Sequence, residues 1–149
     1  MVCEMEGATA GYAYGMPYRG RPAYRFSAEV TVYVAGNRRR QGLGRALYDR
    51  LFEVLLTQGF VSALAVITLP NASSQALHVA MNFERVGTFA QVGYKLGRWH
   101  DTEWWLRPLR RAPENPEGPR PLAEAARQLE WLGEPAGGIV AGSKRRRGD

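Results

Sequence analysis

The chain has 149 residues, 45% apolar and 23% charged, with a formal net charge of +6. That composition excludes a wholly disordered chain, and no apolar run reaches the roughly 18–20 residues of a membrane-spanning helix. A single cysteine, Cys3, excludes an internal disulfide and a cysteine-based zinc site, and with only His78 and His100 as imidazoles no metal is expected.

The length predicts one principal domain. Met1 to Glu6 holds no basic stretch followed by an apolar core, so no secretory signal is read and a reducing cytoplasm is expected. Residues 2–6 and 8–16 read as short strands around Gly7. Pro17 and Gly20-Arg21-Pro22 then punctuate a loop. Residues 25–35 are the clearest strand, with Val30, Val32 and Val34 pointing one way and Glu29, Thr31 and Tyr33 the other. The pleat puts a carboxylate and a phenol on one face. Gly36-Asn37 breaks the strand, and from Leu43 to about Gln58 the period is helical. Leu43, Leu47, Leu51 and Leu55 form its stripe and Gly59 its stop.

The apolar run 61–69 predicts a strand buried on both faces, completing a βαβ unit. Pro70-Asn71 ends it, and Ser73 or Ser74 is expected to cap a short helix to about Met81. Residues 84–97 and 100–109 read as antiparallel strands with their turn over 97–101. The expected class is therefore α/β: a mixed, mostly antiparallel sheet around a central βαβ unit. Four prolines between 111 and 121 predict a linker over 110–121. A helix is expected from Leu122 to Leu132, then a Gly-rich, basic, disordered tail, so that 122–149 is a helix and tail. The run Lys144-Arg145-Arg146-Arg147 reads as solvated tail, so nucleic acid is not expected as a partner.

The segment that points to chemistry is Arg39-Arg40-Gln41-Gly42-Leu43-Gly44, between a strand and a helix. Two glycines let a ligand approach the backbone, and the first helical N–H groups lack internal partners. With the positive end of the helix dipole and three arginines they predict an anion site, a diphosphate being the fitting group. The spacing is neither that of a Walker loop nor that of the dinucleotide fingerprint. The two glycines could also merely shape a tight turn.

Arg-x-x-Gly-x-Gly in that position resembles the acetyl-CoA pyrophosphate loop of the GNAT N-acetyltransferases. The segments 28–34, 40–44, 65–71 and 93–102 are similar to the phosphinothricin and methionine sulfoximine acetyltransferase branch, so that the resemblance covers roughly residues 2–109. It implies a 1–109 acetyltransferase domain that uses acetyl-CoA, needs no metal and acetylates the α-amine of a small amino acid or analogue as a homodimer. Val32, Tyr33 and Val34 would hold the pantetheine arm. Arg39, Arg40, Gln41, Gly42, Leu43 and Gly44 would hold the pyrophosphate, Asn71 would bond the cofactor near its thiol end, and Ser74 would also bind the cofactor. Glu29 would be the general base and His78 the acid that protonates the leaving thiolate. Arg21, Tyr24, Tyr33 and Lys95 would meet the acceptor, and an N–H near Tyr33 and Val34 the developing negative charge.

The chain departs from that family in three places. The family's first strand and two helices are expected to be absent ahead of residue 1. Asn82 stands where the family places glycine, a substitution compatible with a positive φ. Residues after 110 have no family counterpart. The alternative expectation is a module that binds coenzyme A or a partner chain without turnover.

Overall fold

The computed structural model describes residues 1–129 and the backbone of a two-residue strand at 139–140. Its strands are β1 (Val2–Met5), β2 (Ala8–Pro17), β3 (Ser27–Val34), β4 (Ser62–Thr68), β5 (Glu84–Lys95), β6 (Arg98–Pro108) and β7 (Ile139–Val140). Its helices are α1 (Leu43–Gln58), α2 (Ala72–Ala80) and α3 (Leu122–Ala125). The strands form one sheet in the order β5-β6-β4-β3-β2-β1-β7. β3 and β4 are parallel, and the other pairs are antiparallel. This is the expected mixed α/β fold, with β3-α1-β4 as its central unit.

One face of the sheet is covered and the other is open. On the covered face Ala13, Val30, Ala63, Ala65 and Ile67 pack with Leu47, Leu51, Phe52 and Leu55 of α1. The close fit depends on Gly11: a Cβ there would stand 2.7 Å from the Tyr33 carbonyl oxygen and 3.1 Å from Leu47 Cδ1. On the open face Tyr12, Tyr14, Met16 and Tyr33 are 40–56% exposed. β4 accordingly alternates, with Ala63, Ala65 and Ile67 buried and Val66 exposed. This corrects the expectation of a strand buried on both faces, which took an apolar run as proof of two covering layers.

Several boundaries differ from expectation for local reasons. The hairpin turns at Leu96-Gly97, both with positive φ, not over 97–101. His100 and Asp101 are strand residues instead: His100 Nδ1 bonds the Leu69 carbonyl at 3.0 Å, and Asp101 Oδ1 accepts from Gln91 N–H at 2.9 Å, securing an irregular stretch of β5. Asn71, not Ser73 or Ser74, caps α2. Asn82 takes φ 59° just past α2, as anticipated for an asparagine in a glycine position.

The expected linker is docked. Helix α1 ends with unpaired carbonyls, and residues 110–120 supply donors to them. Arg110 donates to Gly59 O at 2.8 Å and Arg120 N–H to Gln58 O at 2.7 Å, while Gln58 Nε2 returns a bond to Arg120 O at 3.0 Å. α3 then packs on α1, with Ala125 buried, and continues as a short 3₁₀ turn over Ala126–Gln128, while the last residues of the expected helix, 130–132, lie outside the described residues. β7 pairs with β1. The basic run at 144–147 and most of the expected tail lie outside the described residues.

Candidate active site

The site begins where two strands part. β3 pairs with β4 only at Ser27–Ser62, Ala28–Ala63 and Glu29–Leu64. Beyond Glu29, β3 keeps its partner β2 as far as Val34 but leaves its other edge unpaired toward β4. Unpaired strand edges accept an extended ligand as an added strand. Glu29 is the last paired residue, at the vertex of the fork, half-buried, on the open face with Tyr33.

A cleft of about 920 Å³ opens from this edge, lined by Val32, Tyr33 and Val34, by the loop and the start of α1, and by Asn71, Ser74 and Leu77 of the α2 end. Gly42, at φ 79°, turns the chain into α1, and Ala46 N–H makes the first helical bond, to Gly42 O. The N–H groups of Leu43, Gly44 and Arg45 therefore remain as first-turn donors. Gly44 lets α1 approach α2, since a Cβ there would lie 3.0 Å from Leu77 Cδ2. Arg39, Arg40, Leu43 and Gly44 join the lining as expected, whereas Gln41 is exposed outside it. Asn71 Oδ1 accepts from Ser74 N–H and Ser73 Oγ–H, both at 3.2 Å, so the cap leaves Nδ2 as a spare donor at the cleft.

His78 is not brought to the cleft. It is 3% exposed, boxed by the rings of Tyr48, Phe83 and Trp105. Its Nδ1 lies 2.8 Å from the Ser74 carbonyl, which only accepts, so Nδ1 carries the hydrogen. Nε2 then accepts from the Tyr48 hydroxyl at 3.0 Å. Burial pushes the Tyr48 phenol well up, keeping it a donor, and pulls His78 down, keeping it neutral. The pair links α1 to α2 beneath the cleft, a second connection beside Arg45 to Ala80 O at 2.9 Å. Glu103, also buried, is held below the usual carboxylate range chiefly by the Gln75 hydrogen bond, then by Trp105 and Arg85.

A pH dependence follows from the depressed His78. The imidazole contributes fully above its unfolded value, near 6.5. As pH falls below that, the unfolded chain takes up a proton that the buried ring resists, so stability declines. Thermal melts between pH 7.5 and 5 are expected to lose Tm more steeply in the native chain than in His78→Gln.

On the open face Arg19 is a cation within Coulombic reach of Glu29. Its guanidinium sits 5.0 Å over the Tyr18 ring, and Tyr18 packs edge-on against Tyr24 and Trp104. Arg21 precedes the 3₁₀ segment Pro22–Tyr24 as its N-cap, three positions before Tyr24. Arg21 is exposed. Lys95 stands at the tip of the β5–β6 hairpin, opposite Arg98, four β6 positions from Thr102, which at strand rise is about 13 Å beyond the last β4 pairing.

A family model, the acetyltransferase (GNAT) domain, matches residues 1–104. The phosphinothricin N-acetyltransferase of Streptomyces viridochromogenes is 44% identical over 122 residues, 82% of this chain and 64% of that protein. The L-methionine sulfoximine/L-methionine sulfone acetyltransferase of Pseudomonas aeruginosa is 38% identical over 116 residues, 76% of this chain and 67% of its own length. The crystal structure of a GNAT superfamily phosphinothricin acetyltransferase from Sinorhizobium meliloti, in complex with AcCoA, superposes with a TM-score of 0.68 at 38% identity, covering 76% of this chain and 64% of the other. The chain spans 64% and 58% of the two Streptomyces phosphinothricin acetyltransferases it matches.

Proposed function

The chain belongs to the GNAT acetyltransferase family, and from that premise we propose that it transfers acetyl from acetyl-CoA to the α-amine of a small amino acid or analogue, as its phosphinothricin and methionine sulfoximine relatives are named for doing. The observation that carries this reading is the position of Glu29 at the vertex of the β3–β4 fork, beside an unpaired strand edge that leads to first-turn N–H donors.

The cleft fits coenzyme A by its chemistry. An unpaired edge suits the amides of a pantetheine arm, and the glycine turn with its arginines suits a diphosphate. When bound, the coenzyme supplies an activated acetyl thioester. The backbone of Val32–Val34 aligns it, Arg39, Arg40 and the turn Gly42–Gly44 anchor it, and Asn71 and Ser74 donate near its thiol end. An α-amine ordinarily titrates near pH 7.7–8, so it arrives largely protonated at neutral pH. Glu29 takes that proton, directly or through a water, so that the amine would attack the thioester carbonyl in a ternary complex without a covalent enzyme intermediate; as the C–N bond forms the C–S bond would break, and the second proton shed by the amine would go to the departing coenzyme A thiolate. Arg19 and Tyr24 hold the carboxylate of the acceptor. His78 acts by positioning α2, since both its ring nitrogens are engaged behind the cleft wall.

Residues 1–109 form the catalytic domain in this reading, and 110–129 strap the end of α1. A homodimer is part of it, supported by the exposed Val92, Tyr94, Leu96 and Trp99 on the projecting hairpin. A cytoplasmic location is supported by the free thiol of Cys3.

A thiol-release assay with acetyl-CoA and phosphinothricin, methionine sulfoximine and methionine sulfone tests the proposal. Turnover is expected, and Arg19→Gln is expected to raise the acceptor KM about tenfold with kcat retained, the loss of one charge-assisted bond. Coenzyme binding by calorimetry without turnover of any amine would leave the non-catalytic binding module in its place.

A further inference from the structure

The cleft carries more positive charge than a diphosphate requires. Arg38, Arg39, Arg40 and Arg45 all line it, and no Asp or Glu is among the described lining residues. A diphosphate diester bears two charges, and the amides of Leu43 to Arg45 with the dipole of α1 already face it. The four guanidiniums are not equivalent. Arg45 is turned toward α2 by its bond to Ala80 O. Arg39 and Arg40 are exposed, and Arg40 is held at φ 61°, a conformation that glycine would occupy without strain. Arg38 is fixed: the carboxylate of Glu6, from the turn between β1 and β2, pairs with one terminal nitrogen and leaves the other terminal nitrogen and Nε as donors. Glu6 itself adopts φ 54°, so the chain holds a strained turn where this carboxylate meets Arg38.

We infer that Arg38, oriented by Glu6 and assisted by Arg39, forms a separate subsite for a phosphomonoester, and that the cleft thereby selects 3′-phosphorylated coenzyme A over its dephospho form. A phosphomonoester carries about −1.5 to −2 charges at pH 7 and matches the fork of a guanidinium. Arg38 and Arg39 face that charge, with Arg38 partly offset by Glu6, and Arg40 remains for the diphosphate with the amides of α1. The inference rests on the acetyl-CoA reading above but concerns a part of the ligand remote from the reacting thioester, so binding alone reads it out.

Titration calorimetry of the full chain with coenzyme A and with 3′-dephospho-coenzyme A, at low salt and at 0.3 M NaCl, tests it. The dephospho form is expected to bind at least tenfold more weakly at low salt, with the difference narrowing in high salt as exposed charges are screened. Arg38→Gln is expected to weaken coenzyme A to the level of the dephospho form while leaving the dephospho form unchanged, and Glu6→Gln to do the same in smaller degree. Equal affinity of the unmodified chain for the two ligands overturns the subsite and leaves the acetyltransferase reading standing. So does an equal loss for both ligands in Arg38→Gln. Binding of neither ligand removes the acetyl-CoA reading and the subsite together. The comparison on the unmodified chain decides the matter even if a variant does not fold.

Discussion

Glu29→Gln is expected to lower kcat/KM by about 10²–10⁴-fold, the range for a positioned general base. The side chain keeps its shape and half-buried place at the fork but can no longer take the proton of an ammonium. Affinity for coenzyme A is expected to stay within about twofold, because residue 29 lies outside the cleft lining. Its melting temperature should also hold, since the Glu29 side chain makes no hydrogen bond or ion pair among the described residues. Steady-state rates from pH 6 to 9.5, with calorimetry alongside, check both halves. If Glu29 is the base, the variant recovers in part at alkaline pH, where free amine becomes abundant. Unchanged kcat/KM in a folded variant would remove the base assignment.

Phe52→Ala is expected to have the largest effect on stability, about 3–5 kcal/mol. The ring is 3% exposed, stacks on Tyr48 with centroids 5.1 Å apart, meets Phe83 at 5.9 Å, and carries the Arg107 guanidinium 4.3 Å above it. Truncation leaves a cavity between α1 and the strand that follows α2, and it removes the support of Tyr48, the partner of His78. A domain of this size is held by only about 5–15 kcal/mol, so the loss is a large share of the whole. Chemical denaturation gives the free energy, and coenzyme titration shows whether the amides at the start of α1 lose their aim. Phe52→Leu, which keeps most of the volume, is expected to lose less than half as much. A melting temperature unchanged in Phe52→Ala would mean that α1 is not held through this ring cluster.

The elements were legible to within a few residues because their causes are local. Alternation from Ser27 to Val34, a four-residue leucine stripe in α1 and glycines at 42 and 59 each act over a single turn or pleat. The same locality placed the anion loop and put Glu29 on the face of Tyr33. It failed where a residue's role depends on what arrives from far along the chain. His78 looked like an acid at the mouth of a site, but Tyr48, thirty positions earlier, holds it in the core. The prolines of 110–121 read as a linker, and the contacts of Arg110 and Arg120 with the Gly59 and Gln58 carbonyls are not written in that composition.

Periodicity, glycine placement and charge order thus decided which segments are strands and helices, where the glycine- and arginine-bearing loop lies and which carboxylate shares a face with a phenol, since each is written in dihedral preference and side-chain alternation. The separation of β3 from β4 just past Glu29, the pairing of Glu6 with Arg38 and the burial of His78 were settled only by packing. Each is a contact or an absence of contact between elements, and its energy depends on neighbours that sequence spacing does not specify.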